Sequence, residues 1–323
     1  MSEVVIVTGI GDRLGAAVAA EVARRWPDAE VFGLGSAPVA TPIPGVESIR
    51  VDLRSRTLAD LVRTLDVSVI VHASLLDPKV RGGRAGQKDV NILGTMRLLA
   101  AAERSESLRH VVVASTTAVH GAGARSPAVH VASSAAVGSL PDGIGRDCVE
   151  AEGQVRALAR HRPDATTTVV RLADIVGPGV ETPMAEYLRL PILPTRLGHD
   201  PRLQVVHIDD AIAALVEATI TPPDTSLVVD VAGEGVVTLS QAAAILGRPW
   251  MPVLPGLGGA TRALLGRSDA ARLTTEHRDL LTWGRVVDTT LMRATVLPEP
   301  AYTTRTALAS MAVPRAVREG GHP

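Results

Sequence analysis

The sequence predicts an α/β fold, a doubly wound parallel Rossmann sheet with a smaller C-terminal substrate-binding lobe. Three observations carry that expectation. Short β-branched runs alternate with helical stretches up to about residue 172, the rhythm of a parallel sheet covered on both faces. A glycine-rich turn, Gly9, Gly11 and Gly15 in the spacing G-x-G-x-x-x-G, joins the first strand run to the first helix run. After Gly177-Pro178-Gly179 the rhythm stops and prolines recur at 183, 191, 194 and 201. The expected division is therefore 1–178 for a nucleotide-binding domain and 179–323 for the lobe, with some elements of the second part returning to the first.

The elements follow in order. Residues 4–8 form an apolar strand that enters the glycine turn. Residues 16–26 read as a helix with one apolar face, and Arg24 and Arg25 suit its C-terminal end. Strands are expected at 31–34, at 48–51 (ending in Asp52-Leu53) and at 67–72, whose unbroken apolar run suits burial on both faces. A helix over 91–103 leads to a fifth strand at 110–114, which runs into Ser115-Thr116-Thr117. A helix at 149–160 and a strand at 167–172 complete the alternation. Beyond it, 209–218 and 239–246 read as helices and 227–231 as a strand, with Asp209 and Asp210 complementing the positive helix start. A Gly-, Ala- and Leu-rich stretch at 256–272 suggests a helical lid, and a loosely ordered tail is expected after residue 312.

Composition narrows the function. A net charge of -1 over 323 residues gives no electrostatic case for nucleic acid or an anionic membrane surface. No apolar segment approaches the roughly 20 residues needed to span a bilayer. Cys148 is the single cysteine, so no internal disulfide forms, which suits a reducing cytoplasm. No group of His, Cys and carboxylates has metal-ligand spacing, so no metal is expected. Lysine occurs only at 79 and 88, and tyrosine only at 187 and 302.

The glycine turn points to a dinucleotide. Glycines let the backbone approach a pyrophosphate while the following helix offers its free N–H groups. Gly9, Gly11, Arg13, Leu14 and Gly15 are the residues expected there. Asp12, inside the turn, would repel a pyrophosphate and is expected to point away. The second strand ends in Gly35-Ser36 with no acid to take a ribose 2′-hydroxyl. That, with Arg13 available for a 2′-phosphate, favours NADPH, with NADH as the alternative.

Further segments resemble the extended short-chain dehydrogenase/reductases of the NAD-dependent epimerase/dehydratase group, in family order along most of the chain. Thr8 to Gly15 resembles T-G-x-x-G-x-x-G, and Asp52-Leu53 the pair that holds adenine. His72-Ala73-Ser74 and the helix start at Asn91 resemble segments that line the cofactor. The run from Ser115 and Thr116 to Gly121 resembles the segment carrying the catalytic hydroxyl. Arg171 to Gly179, including Ala173, resembles the strand and loop beside nicotinamide, and Val206 to Asp210 resembles V-H-V-D-D. The resemblance implies that these residues bind the cofactor and that Thr116, with Ser115, serves catalysis. It implies a departure as well. Where the family has Tyr-x-x-x-Lys, this chain has Ile144 and Cys148, and neither can act as that acid/base pair. In this it resembles the tyrosine-free extended reductases of aromatic polyketide pathways, which implies reduction of one ring carbonyl by NADPH.

Hydride transfer survives the loss of the phenol, because the cofactor supplies the reactivity and the fold the geometry. Protonation then has three candidate sources: Thr116 relaying from water, His120 or His72, or a hydroxyl of the substrate itself. The leading expectation is reduction of an activated carbonyl on a bulky, hydrophobic, polycyclic small molecule, with His120, Met184, Tyr187 and Arg202 lining its pocket. Arg202 could instead hold a diphosphate, which keeps a nucleotide-sugar epimerase or dehydratase open. A non-catalytic NADP(H)-binding protein is the third reading. A monomer or a homodimer is expected.

Overall fold

The computed structural model describes residues 3–37, 39, 41–76, 83–134, 140, 143–253 and 273–312. Its centre is a seven-stranded parallel sheet. The strands are β1 (Glu3–Thr8), β2 (Ala29–Gly35), β3 (Val46–Arg50), β4 (Val69–His72), β5 (His110–Thr116), β6 (Thr166–Leu172) and a late strand, Leu227–Val231. In space the late strand comes first, followed by β6, β5, β4, β1, β2 and β3. The order reverses between β1 and β4, and the crevice beyond the carboxyl ends of those two strands is where such sheets bind ligands.

Helices cover both faces. On one lies α1 (Arg13–Arg25), packed with the helix Ile208–Ile220 against Val5, Val7, Val69 and Val71. On the other lie α2 (Thr57–Thr64), α4 (Thr95–Glu103) and α5 (Ile144–His161), packed against Ile6, Ile70, Val111 and Val113. Alternate strand residues thus feed two separate apolar layers, as the period of a doubly covered strand requires. Burial of these side chains, each contributing roughly 1.5–3 kcal/mol, holds the strand ends in register and fixes the crevice.

Several elements extend beyond what periodicity marks. α5 begins at Ile144, a turn and a half before the expected start, because Gly145 packs closely against Ala118 in the turn after β5. A short α3 (Gly83–Asp89) and a π-type turn, Val90–Gly94, precede α4. The remaining chain forms β7 (Asp174–Val176), α6 (Pro183–Leu188), β8 (Leu193–Arg196), β9 (Arg202–Leu203), β10 (Val205–His207), α7 (Ile208–Ile220), β11 (Leu227–Val231, the late strand), β12 (Val237–Thr238), α8 (Leu239–Ile245), β13 (Trp250–Val253), α9 (Thr275–Trp283), α10 (Thr290–Ala294) and α11 (Thr304–Ala312). A third apolar cluster joins α6, α8, α9 and α11. Residues 179–312 therefore build a cluster of their own and also lend α7 and β11 to the central layers. The expected lid at 256–272 and the tail after 312 lie outside the described residues. Among the described residues no helix is long and apolar enough to cross a membrane, and no group of three His, Cys, Asp or Glu could hold a metal.

Candidate functional site

A cavity opens at the crevice and is lined from four directions. The turn into α1 contributes Asp12, Arg13 and Leu14. The sheet ends contribute Thr116, Leu172 and Ala173, continued by Asp174 and Ile175. α5 contributes Gly143 and Ile144, and the C-terminal part contributes Val180, Pro183, Ile208, Thr274 and His277.

Each glycine of the turn has its own reason. Gly9 adopts φ +81°, and a Cβ there would stand 2.9 Å from the Ser74 backbone. A Cβ on Gly15 would stand 2.4 Å from the Gly9 carbonyl oxygen, so α1 seats directly on the turn. Gly11 has open space above it. Asp12 does not turn away, as electrostatics alone suggested. It caps α1, and its Oδ2 accepts the Leu14 N–H at 3.4 Å. A helix start with no other side-chain cap recruits the nearest carboxylate. Arg13 also differs from expectation. Its guanidinium donates to the Pro178 carbonyl, tying α1 to the loop after β7 instead of reaching the end of β2. The cation at that end is Arg50, which pairs in register with Gly35 and donates from Nε to the Ser36 carbonyl at 3.3 Å. Gly35 itself packs against Ile10.

Asp52 is gripped by Arg54, at 2.7 Å from Nη2 and 3.0 Å from Nε, and this hydrogen bonding holds its carboxyl below the usual range. Leu53 is buried beneath Gly94. His72 is fully buried between Thr8 (2.8 Å) and Thr95 (2.8 Å), and burial lowers its pKa to about 4. It is a brace between β1, β4 and α4, not a proton source in the cavity. Ala73 and Ser74 close the floor beneath Gly9 by backbone contact. Asn91 is likewise internal: its Nδ2 donates to the buried Asp147 at 3.0 Å, and its carbonyl accepts the Thr95 hydroxyl.

Thr116 meets the cavity. Its Oγ1 accepts the Ala118 N–H at 3.2 Å and caps the turn Thr117–His120. Ser115 points to the other face of the sheet, as its neighbour in a strand must. It donates to Glu152 at 2.7 Å and is fully buried. On the same rung stand Arg171 and Asp230. Arg171 is bidentate to Glu152 (2.9 and 2.7 Å) and lies 4.0 Å from Asp230. Asp230 also receives His120 Nε2 at 3.0 Å. Ser115, Arg171 and His120 therefore form a buried charge network under α5, and the catalytic, cofactor and substrate roles expected of them give way to structural ones.

Ile144 lines the cavity at the first turn of α5, whereas Cys148, one turn on, is sealed in the core, where burial pushes its thiol pKa up. Three other expected lining residues are displaced. Met184 and Tyr187 lie in the core of the lobe, the Tyr187 hydroxyl donating to the Pro194 carbonyl at 2.9 Å. Arg202 is on the outside and donates to the Ala128 carbonyl at 3.2 Å. The helix α6 turns Met184 and Tyr187 inward and leaves Pro183 on the cavity.

The structure adds residues that motif reasoning passed over. Arg84 reaches from α3 to the start of α5, bidentate to Asp147 (2.6 and 2.7 Å) and donating to the Gly143 carbonyl at 3.0 Å. Glu276 of α9 accepts the Gly145 N–H at 2.9 Å, with burial holding its carboxyl above the usual range. Arg285 links Asp174 (3.3 Å) to Thr117 (3.2 Å). Asp174 and Thr117 lay in segments the sequence had marked. Arg84, Glu276 and Arg285 belong to no motif, and only the fold brings them to the surroundings of the cavity.

The comparisons agree with this architecture. The chain is 34% identical over 308 residues to an uncharacterized protein of Mycobacterium tuberculosis, covering 94% of this chain and 81% of that one. The structure of UDP-glucuronic acid 4-epimerase from Bacillus cereus in complex with NAD superposes with a TM-score of 0.70 at 14% identity, covering 95% of this chain and 96% of the other. The terminal R domain from the myxalamid PKS-NRPS biosynthetic pathway superposes with a TM-score of 0.74 at 18% identity, covering 96% and 89%. At these identities both show a shared fold. The profile of the NAD dependent epimerase/dehydratase family matches residues 5–225, and with the parallel sheet and the glycine turn at its first crossover the chain belongs to that family.

Proposed function

We propose that the protein is an NADPH-dependent ketoreductase acting on an activated ring carbonyl of a bulky, polycyclic, angucyclinone-type polyketide in antibiotic biosynthesis. One observation carries the reading. The cavity wall beside Thr116 is the side chain of Ile144, and that wall continues through Leu172, Ala173, Ile175, Val180 and Ile208. A flat hydrophobic ligand suits such a wall, and a hydrocarbon in the family's phenol position leaves no base to deprotonate an unactivated sugar alcohol. Reduction of an electron-poor carbonyl makes a smaller demand. With Arg202 bonded to Ala128 outside the cavity, a specific reason to expect a diphosphate-linked sugar is lost.

The glycine cradle suits a dinucleotide. The space over Gly11 and the N–H groups at the start of α1 would take the pyrophosphate, and Leu53 and Asp52 would hold the adenine. Asp12 is the one misplaced group, and its long bond to Leu14 would yield to a rotation of the side chain. Arg50 and Ser36 would receive a 2′-phosphate. When bound, the cofactor supplies a hydride. The chain's own contribution is to orient the carbonyl through Thr116, to exclude water with its apolar wall and to hold the loop after β7 through Arg13.

The test is consumption of NADPH in the presence of 9,10-phenanthrenequinone and trans-1-decalone, alongside a panel of UDP-sugars. Oxidation of NADPH with the polycyclic carbonyls, no interconversion of the sugars and little change in Ile144→Tyr are expected. Sugar interconversion without net cofactor use would establish an epimerase instead, and cofactor binding without any turnover a non-catalytic binder.

A further inference from the structure

We propose that His277, on α9, is the proton donor that stands in for the missing phenol. The inference rests on the reductase reading above and names a residue for it.

The start of α5 is clamped from both sides around Ile144. Arg84 holds the carbonyl of Gly143 at 3.0 Å, and Glu276 holds the N–H of Gly145 at 2.9 Å. The second contact is close enough that a Cβ on Gly143 would stand 2.5 Å from the Glu276 carboxylate. The glycines on either side of Ile144 thus let α9 dock on the first turn of α5. The next residue of α9 after Glu276 is His277, and it lines the same cavity as Thr116 and Ile144.

The ring is held for the task. Thr274 caps α9, and its Oγ1 accepts the His277 backbone N–H at 3.4 Å and lies 2.7 Å from ring Nδ1. One hydroxyl oxygen therefore fixes the ring, and Nδ1–H of an imidazolium can donate to it. Among the described residues Nε2 has no hydrogen-bond partner, and His277 is only 8% exposed. Nε2 is the ring nitrogen left over for a ligand of the cavity that His277 lines with Thr116 and Ile144. The neighbouring charges are Glu276 on the same helix, Arg84 on α3, and Asp174 on β7 with its partner Arg285.

The step balances. A bound reduced nicotinamide would supply the hydride to the carbonyl carbon and would leave oxidised. The carbonyl oxygen accepts the proton from Nε2–H, giving the alcohol. The neutral imidazole then recovers a proton from water once product departs. Thr116, which lines the same cavity, orients the oxygen.

Two readouts test the assignment, the first independent of turnover. Carbethoxylation of the wild-type protein by diethyl pyrocarbonate, resolved by peptide mass, should modify His277 and be slowed by NADP+. Modification unaffected by NADP+ would place the ring outside the cofactor cleft and overturn the proposal. In the second, His277→Ala and His277→Gln, with melting temperatures near wild type, should reduce phenanthrenequinone at least about 100-fold more slowly, the loss expected of a missing general acid. NADPH affinity should stay within about threefold, and added imidazole should restore part of the rate to His277→Ala. A rate within about threefold of wild type in both variants would remove His277 from the chemistry while leaving the reductase reading intact. A wild-type protein that reduces neither phenanthrenequinone nor decalone would end the reductase reading, and the donor role with it.

Discussion

Asp12 places a carboxylate at the one point of the fold built to receive an anion. The first N–H groups of α1 carry the positive end of the helix dipole, and Asp12 Oδ2 already accepts from one of them. A dinucleotide must compete with this resident charge. Asp12→Gly should therefore bind NADPH about tenfold more tightly or better, roughly 1.4 kcal/mol, because the competing carboxylate and its repulsion are both gone. The cost to folding should be only a few tenths of a kcal/mol, since glycine is a tolerated cap. Titration of nicotinamide fluorescence measures the first, and equilibrium unfolding in urea the second. Equal affinity in the two proteins would mean that the carboxylate does not contest the site. At the opposite end of the cleft, Arg50→Ala should lower the preference for NADPH over NADH by about tenfold, read as the ratio of the two dissociation constants, whereas Arg13→Ala should leave that ratio unchanged. The need for glycine at 9 and 15 was legible in the sequence, because glycine spacing encodes backbone approach. The direction of Asp12 and Arg13 was not, because a cap and a loop carbonyl, neither of them visible as a motif, decide where those side chains go.

At the scale of elements, the site depends on how closely α5 approaches the turn after β5. A Cβ on Gly145 would stand 2.7 Å from the Ala118 carbonyl oxygen, so even alanine must push the helix start outward. Gly145→Ala should cost about 1–3 kcal/mol of stability, the usual penalty for overpacking, and should loosen the Glu276 contact that seats α9. Denaturant unfolding checks the first. Faster hydrogen exchange confined to the first turns of α5 and α9 checks the second, and an unchanged exchange pattern would mean that the two helices are not coupled. Most elements of the sheet were readable in the sequence: the runs at 110–114, 167–172 and 227–231 fall inside the observed strands His110–Thr116, Thr166–Leu172 and Leu227–Val231. The start of α5 was misjudged because glycines flank Ile144, and glycine lowers helix propensity while permitting the close packing that forms the helix there. α9 carries no motif. Its place beside Ile144 comes from one carboxylate meeting one N–H across 131 residues of sequence, a contact that periodicity cannot foresee.

For the whole molecule, the same parallel sheet that presents the cavity also buries the groups that make the fold sensitive to acid. His72 ties β1 to α4 through both ring nitrogens. The Thr95 hydroxyl hydrogen goes to the Asn91 carbonyl, so Nε2 must donate to Thr95 and Nδ1 is left as the acceptor, facing the hydroxyls of Thr8 and Ser74. A second ring proton would end the role of Nδ1 as acceptor, turn the Thr8 hydroxyl hydrogen towards Ser74, and put a charge in the core. Burial accordingly lowers the pKa to about 4 from an ordinary value of 6.5. Between those limits the unfolded chain binds the proton and the folded chain does not, so stability falls as pH drops from 6.5 towards 4 and is fully present above 6.5. The gap corresponds to roughly 3 kcal/mol, a large share of the 5–15 kcal/mol typical of a folded domain. His130, whose ring nitrogens are buried without a hydrogen-bond partner among the described residues, is lowered to about 4 by burial and acts with the same sign. Glu276 and Asp210, whose carboxyls are raised by burial, act with the opposite sign in the acid part of the range. The net curve therefore mixes several groups, but a difference between two proteins isolates one. His72→Gln keeps a donor and an acceptor between Thr8 and Thr95 and removes the titration. Its melting temperature should lie below wild type at pH 7.5 and approach or exceed it near pH 4.5. Parallel melting curves for the two proteins across that range would show that the His72 ring is protonated at no cost, and hence that the β1–β4–α4 junction beneath the glycine turn is not the tightly closed structure described above.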